Sequence, residues 1–584
     1  MRHANYDKFP FVQVEAENRS CITGWQAIGK KLNDEITSAN KKIIVIECYQ
    51  GVYDEELVSN LKATVKHDLW IDARDAYKNE QEILAMTYPD VTDDRIFGYL
   101  TRLNVSDFLD KQKIAALHGK IGANAGVIII YGIGASLIPL NYDLLVYADM
   151  ARWEIQLRMR KKEIKNIGLH NSDEEFSIQY KRGFFVDWRA CDRLKKQLFN
   201  RIDYVLDTNK ANSPNLVKGE AILKGMELAV KKPFRVVPFF DPGPWGGQWM
   251  KEVCDLDRSV VNYAWCFDCV PEENSLLLRF GDIDVEIPSI NVVFYQTDAL
   301  LGPKVHSRFG DEFPIRFDFL DTIEGGNLSL QVHPLTEYIQ EKFGMHYTQD
   351  ESYYFLDVDE AADPIVFLGV QDGVDKDAMI ADLLAAQRGE KLFDDEKFVK
   401  QWPVKKHDHV SIPAGTVHCS GAGGMVLEIS ATPYIFTFKL WDWGRLGMDG
   451  KPRPINIEHG KNVIQWNRTA SWVKEHALNL VEPLGSGDGW REERTGLNEL
   501  EFIETRRHWF TGKVTHHTDG IVNVLNLVEG REAIVESPTG AFEPYVVHYA
   551  ETFIVPAAVG EYTIRPHGES EGQECGTLKA YVRI

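Results

Sequence analysis

The chain has 584 residues, and 65 Lys and Arg against 87 Asp and Glu give a net charge of −22. Hydrophobic residues make up 44% and charged residues 26%, a globular composition that excludes a mostly disordered chain. At roughly 100–200 residues per domain the length predicts about three or four domains, and the acidic balance argues against general binding to nucleic acid or an anionic membrane.

The opening stretch, MRHANYDKFPFVQVEAENR, has no apolar core long enough for a signal peptide. The longest apolar run, Gly126 to Leu140, is too short and too broken by Gly and Pro to span a bilayer. A cytoplasmic protein is expected. The eight cysteines are scattered, so no disulfide framework is expected, and the lone Cys266-x-x-Cys269 reads as buried free thiols.

Gly24 to Lys31 nearly spells G-x-x-x-x-G-K-[ST], but Lys31 stands where the magnesium-binding hydroxyl belongs and no apolar strand precedes Gly24. A helix and a chance match are predicted there. Short apolar runs follow at 41–51, 68–73, 126–132 and 142–149, separated by helical patterns such as EELVSNLKATVKH and ARWEIQLRMRKKEI. That alternation predicts a parallel sheet covered on both faces, over 1–232. The first strand runs into Glu47-Cys48-Tyr49-Gln50-Gly51-Val52, which lacks the second glycine and the lysine of a phosphate cradle.

The order of these elements, with Val127 to Gly132, Tyr142 to Asp149 and Arg158-Met159-Arg160, resembles the nucleoside-kinase branch of the P-loop fold. The resemblance implies a degenerate, catalytically silent kinase-like domain that binds a nucleotide or sugar, or stabilises an assembly. Arg158, Arg160, Lys161, Lys162 and Lys165 would form a phosphate-facing lid or, more commonly, a solvated helix face. Asp72, Asp75, Asp93 and Asp94 suit metal or base roles, though caps and turns use such residues more often.

From about 233 the texture changes to short alternating strands with Gly and Pro turns, the pattern of an all-β sandwich or jelly roll. The fold class is thus multidomain α/β plus all-β. A helical insert is predicted near 376–402, and a further β-module over 481–584. Val410 to Gly415 before His418, and Phe553 to Ala558 before Glu561, echo one another as strand, Pro-Ala turn, strand. Counting five from each proline gives His418 and Glu561, so two related modules with one functional site are expected, or else a shared turn without ancestry.

In Asn327 to Pro334, alternation puts Ser329, Gln331 and His333 on one strand face and Leu328, Leu330 and Val332 on the other. Glu351 opens a β-rich run beside large residues, where a carboxylate needs a partner. His418 follows the Pro413-Ala414-Gly415 turn. Two imidazoles, one carboxylate and one amide oxygen suit a borderline divalent ion such as zinc, one per chain, with a position left for water or substrate. Taken singly, each residue is more often structural.

Ser329-Leu330-Gln331-Val332-His333-Pro334, Glu351, Pro413 to His418 and Asp442-Trp443-Gly444-Arg445 resemble the motifs of the type I mannose-6-phosphate isomerases, zinc-dependent enzymes of the cupin fold. Pro244-Trp245-Gly246-Gly247 and Ala264-Trp265-Cys266 resemble the family's opening motifs. The resemblance spans about 233–470 and implies a metal-binding cupin isomerase domain over 233–480, followed by a C-terminal cupin-like module. It implies Gln331, His333, Glu351 and His418 as metal ligands and Ser329 at the phosphate or sugar end of the pocket. It makes Glu428 a proton-transfer candidate or else a structural partner of Lys439 or Arg445. Lys439 and Arg445 become candidates for holding the phosphate or the enediolate, on one strand face if the strand continues that far. Two positions depart from the family: Gln349 replaces a lysine, and Lys439 replaces an arginine whose bidentate fork a lysine lacks. The expected reaction interconverts mannose 6-phosphate and fructose 6-phosphate through an enediol. The rivals are an isomerase or epimerase of another sugar or sugar phosphate, and a non-catalytic sugar sensor. The sequence leaves the oligomeric state open.

Overall fold

Strands Ile43–Cys48, Ile128–Gly132 and Leu144–Asp149 are buried almost throughout and rich in Ile, Leu and Val, as a sheet covered on both faces requires. They belong to a computed structural model that describes residues 4–584 except 15–19, 432–434, 447–452, 454 and 497–500. The chain divides into two units, one of Phe11–Ala229 with Pro271–Gln296, the other of Met1–Pro10, Val230–Val270 and Thr297–Ile584. The sequence reading drew one boundary near 232, whereas the units interleave. The hairpin Ser275–Phe280 and Ile283–Pro288 lies in the first unit, where Phe11–Val14 pairs alongside it in parallel.

In that first unit the parallel strands run in the order Leu69–Asp72, Ile128–Gly132, Ile43–Cys48, Leu144–Asp149, Tyr204–Asp207. Asn215–Lys218 and Cys21–Thr23 extend the sheet antiparallel. The first parallel strand in the chain is therefore central, and the order reverses around it, which opens a crevice at the strands' carboxyl ends. A cleft of about 990 Å³ lies there, lined by Tyr53, Asp54, Arg74, Tyr77, Gly132 and Lys165 among others.

Helix Trp25–Ser38 forms where the P-loop-like string stands, burying Trp25, Ile28, Leu32 and Ile36 at helical spacing. Gly24 leads into it at φ 86, a conformation that favours glycine. The short edge strand Cys21–Thr23 precedes Gly24, only half-buried and without the apolar run of a P-loop strand. A lid role for Arg158 also fails. It is fully buried and donates to the carbonyls of Gly51 (2.8 Å), Thr208 (2.7 Å) and Asn209 (3.1 Å).

The second unit contains two runs of eight strands. The first comprises β1 (Ile315–Asp321), β2 (Leu330–Val332), β3 (Glu351–Val358), β4 (Ile365–Val370), β5 (Val399–Pro403), β6 (His409–Ile412), β7 (His418–Ser420) and β8 (Gly424–Ala431). The second comprises β9 (Ile503–Phe510), β10 (Val514–His517), β11 (Asn523–Glu529), β12 (Glu532–Glu536), β13 (Tyr545–His548), β14 (Thr552–Val555), β15 (Glu561–Pro566) and β16 (Cys575–Val582). The first run makes the sheet orders β6-β3-β8-β1 and β5-β4-β7-β2, and the second makes β14-β11-β16-β9 and β13-β12-β15-β10. The orders correspond strand for strand. Strand Phe438–Trp441 adds to the first run beside β2.

Inward apolar side chains form the cores, including Phe510, Leu525, Leu527, Phe553 and Ile564 in the second run. Between β4 and β5 the chain makes helix Lys376–Gln387, capped by Asp375, and the short helix Asp395–Phe398. The helical insert therefore stops before Val399, where β5 begins. Cys266 and Cys269 are buried free thiols. No helix among the described residues is long and apolar enough to cross a membrane.

Candidate metal centre

Two strand starts and one strand end converge on one point. Gln331 on β2 lies opposite His418 on one side and Lys439 on the other. His333 follows β2 directly and accepts, through its carbonyl, the amide proton of Gly415 at 3.0 Å. Gly415 has φ 87, so the Pro413-Ala414-Gly415 turn depends on glycine to aim β7 and His418 back at β2. Glu351 opens β3 between Ile412 and Ser430.

His333, Glu351 and His418 are buried, and their ligand atoms lie within 4.8 Å of one another. Glu351 Oε2 is 3.1 Å from His333 Nε2, and Oε1 is 2.8 Å from His418 Nε2. Each ring's Nδ1 faces a carbonyl, Phe436 at 3.3 Å and Thr416 at 2.8 Å. A nitrogen beside a carbonyl must donate, so in the neutral ring Nε2 is a bare lone pair aimed at a carboxylate oxygen. That sets acceptor against acceptor, and His333 Nε2 and Glu351 Oε1 have no hydrogen-bond partner. A shared cation resolves the conflict, and carbonyl-oriented imidazoles with one carboxylate are what a borderline divalent ion takes. Gln331 completes the set: its side-chain amide meets His418 Nε2 at 3.2 Å, and turning the amide presents the oxygen instead.

Between these groups a proton can take the cation's part. Burial pushes His333 down, but the Glu351 carboxylate and the Phe436 carbonyl more than offset this and raise it. Burial likewise acts to raise Glu351, yet the two imidazoles hold it well below the usual carboxylate range.

Glu428 on β8 lies opposite Asp318 on β1 and Tyr353 on β3. Burial first, then Glu351 and Asp318, push it well above the usual range. Gln349 Nε2 donates to both Glu351 (2.9 Å) and Glu428 (3.2 Å), so the residue replacing the family's lysine ties the two carboxylates together. Of the two readings open for Glu428, pairing with Lys439 or Arg445 is not what these contacts show.

Lys439 is half-buried beside Gln331. Its ammonium has no hydrogen-bond or ion-pair partner among the described residues, and burial followed by Arg453 lowers it to about 8. Arg445 is committed: it donates to Asp442 Oδ1 (2.7 Å) and to the Asn327 carbonyl (2.8 Å). Ser329 Oγ also donates to Asp442 Oδ1, at 2.8 Å. The shared strand face expected for Lys439 and Arg445 does not form, because the strand ends at Trp441 and the chain turns through Trp443 (φ 56) and Gly444 (φ 69). Asp442 gathers the charges instead, including Arg453 at 3.0 Å, a residue that no motif flagged.

With the geometry in place, comparison with known proteins points to one class: the chain is similar to mannose-6-phosphate isomerases. It is 29% identical to mannose-6-phosphate isomerase ManA of Bacillus subtilis (strain 168) over 262 residues, 44% of this chain and 74% of that protein. It is 24% identical over 321 residues to mannose-6-phosphate isomerase of Streptococcus mutans serotype c (strain ATCC 700610 / UA159), 54% of this chain and 89% of that one. The crystal structure of the Bacillus subtilis mannose 6-phosphate isomerase matches with a TM-score of 0.48 at 18% identity, over 60% of this chain and all of that one. Residues 24–231 match the family described as a domain of unknown function, DUF8485.

Proposed function

We propose that the chain is a metal-dependent aldose–ketose isomerase of a sugar phosphate, interconverting mannose 6-phosphate and fructose 6-phosphate through an enediol. The observation that carries this is the His333–Glu351–His418 cluster, whose lone pairs demand a cation, flanked by the buried Glu428 and the uncommitted Lys439. Gln331, His333, Glu351 and His418 would hold one divalent ion, zinc by donor chemistry, and the bound ion would polarise the sugar's oxygens. Glu428, tied to Glu351 through Gln349, is the proposed group for moving the proton between C1 and C2, as a base when ionised and as an acid once it holds the proton. Lys439 is proposed to hold the phosphate or the enediolate. Arg445 and Ser329, joined through Asp442, would shape the anion end of the pocket.

A coupled assay with mannose 6-phosphate, beside mannose and a panel of other sugar phosphates, tests the reading. Turnover of mannose 6-phosphate is expected. Gln349 in place of a lysine favours one second reading, an isomerase or epimerase of another sugar phosphate, which turnover of a different member of the panel would reveal. Tight binding with no turnover of any sugar would leave a non-catalytic sugar-sensing protein.

The domain roles proposed are a metal-binding cupin isomerase domain over 233–480, a cupin-like module over 481–584, and a catalytically silent kinase-like domain ahead of them. The strand order of the parallel sheet supports the last. The loop after Ile43–Cys48 is plugged by Gln50, which donates to the Lys165 carbonyl (2.9 Å) and accepts from Trp188 Nε1 (3.0 Å). Asp54, Glu55 and Glu56 fill the first turn of the next helix, where a phosphate would otherwise sit. The cleft beside them is left to hold a nucleotide or sugar without phosphoryl transfer. Measurable ATP hydrolysis by the purified chain would overturn this.

A further inference from the structure

Because the second β module repeats the first, each inward position of the metal centre has a counterpart. Glu428, between Asp318 and Tyr353, corresponds to Lys579, between Arg506 and Leu525. Glu351, opposite Ile412 at the end of β6, corresponds to Asn523, opposite Val555 at the end of β14. The inward pair Gln331 and His418 becomes His516 and Tyr562. Carboxylates have given way to cations and neutral groups, and the Tyr562 hydroxyl donates to Asn523 Oδ1 at 3.0 Å. The second interior has lost a metal's ligands, and Lys579 and Arg506 stand where the first has Glu428 and Asp318.

It has not become apolar. His508 and His516 are each 3% exposed, Thr577 is 0% and Lys579 is 7%. The rings of His508 and His516 meet across the two sheets with centroids 4.5 Å apart. His508 lies opposite Thr577, two residues along β16 from Lys579, so the three share the inner face. His508 Nδ1, His516 Nε2 and Thr577 Oγ1 have no hydrogen-bond partner. The Lys579 ammonium has no ion-pair or hydrogen-bond partner among the described residues. Three buried polar atoms left unmatched beside an unpaired ammonium are unusual, and such groups call for a ligand or ordered water. The nearest carboxylate, Glu492, is already held by His508 Nε2 (3.1 Å) and Arg506 (3.0 Å). Glu492 and Arg506, beside this cluster, are partly exposed.

We propose that the interior of the second β module binds a small phosphate-type oxyanion through Lys579, His508, His516 and Thr577. Burial lowers Lys579 to about 8 and depresses both rings. Around Lys579 the facing charges are Glu492, Arg506, Asp519 and Glu504. An anion among these groups favours their protonated forms, so binding takes up protons. The site is independent of the isomerase reading and stands or falls apart from it.

The test is calorimetric titration of inorganic phosphate into the full chain at pH 8, in two buffers of different ionisation enthalpy. Binding with net proton uptake is expected. Lys579→Met should weaken it at least tenfold and reduce the uptake, whereas Lys439→Met, which silences the first module's free ammonium, should leave this event in place. Thr577→Val, nearly the same shape, should weaken binding several-fold and serves if Lys579→Met does not fold. No phosphate binding at millimolar concentration would mean the pocket holds only solvent. That result, or equal affinity in the wild type and the folded variants, overturns the proposal.

Discussion

In the first β module Glu428 stands opposite Asp318, and Glu351 lies between two imidazoles; in the second, Lys579 stands opposite Arg506, and Asn523 meets a tyrosine. The eight-strand order around them is the same. What the modules share is set by alternation of apolar and aromatic residues, since Tyr353, Phe355 and Val426 in the first and Leu525, Leu527 and Phe553 in the second line the corresponding inward face. What separates them is a few inward positions toward one end of each sandwich. Those positions add little to the apolar core, so they can change sign without changing the fold. The comparison teaches that what distinguishes the two interiors is a handful of side chains on a scaffold indifferent to them.

The sharpest way to break the comparison is to make the first module resemble the second. His418→Ala removes one of the four proposed ligands, and its cost should exceed the roughly 10–100-fold loss that follows removal of a group merely supporting a ligand. Metal analysis after dialysis should find no retained ion, and isomerase activity should vanish with it. Full metal occupancy in this variant would sink the assigned centre. Glu428→Gln keeps the ligands and removes the proton carrier. It should retain metal while kcat falls by about 10²–10⁴. An unchanged kcat would move proton transfer to another group.

How much of this the sequence discloses depends on the range of the signal. The parallel strands at 43–48, 128–132 and 144–149 announce themselves as local apolar runs, and the four ligand candidates as residues with metal chemistry beside turns. The hairpin of Ser275–Phe280 and Ile283–Pro288 joins the other unit through pairing with Phe11–Val14, a partnership between segments more than 260 residues apart that no local pattern encodes. The strand carrying Lys439 stops at Trp441 because Trp443 and Gly444 turn with positive φ, which is written in no periodicity. Arg453 and Asp442 meet only once the chain has folded back. The Pro-Ala echo hinted at the repeat, but its count of five picks Glu561, which is exposed, while Tyr562 faces inward beside His516.

Two smaller effects sharpen the other side of the comparison. Phe553 is fully buried in the second module's core, so Phe553→Ala should destabilise the protein by about 3–5 kcal/mol. Thermal unfolding should shift down while metal content per folded chain stays the same. Loss of metal from the folded variant would show that the modules are not separable in function.

The smallest expected effect concerns Glu492. The hydrogen bond from His508, offset in part by burial and reinforced by Arg506, lowers it from an ordinary 4.5 to about 2. A carboxylate lowered in the folded state binds fewer protons there than in the unfolded chain. Its contribution to stability is therefore present above about pH 4.5 and is lost as the pH falls toward 2. Glu492→Gln has nothing to titrate in that window. The wild type should thus lose more stability than the variant between pH 5 and pH 3, measured as the shift in urea midpoint. Other lowered carboxylates, such as Glu529, contribute equally to both proteins and cancel in the difference. Equal losses would mean that the His508–Glu492 contact does not hold the carboxylate charged, and that Asp519 and Glu504 supply the counter-charge around Lys579.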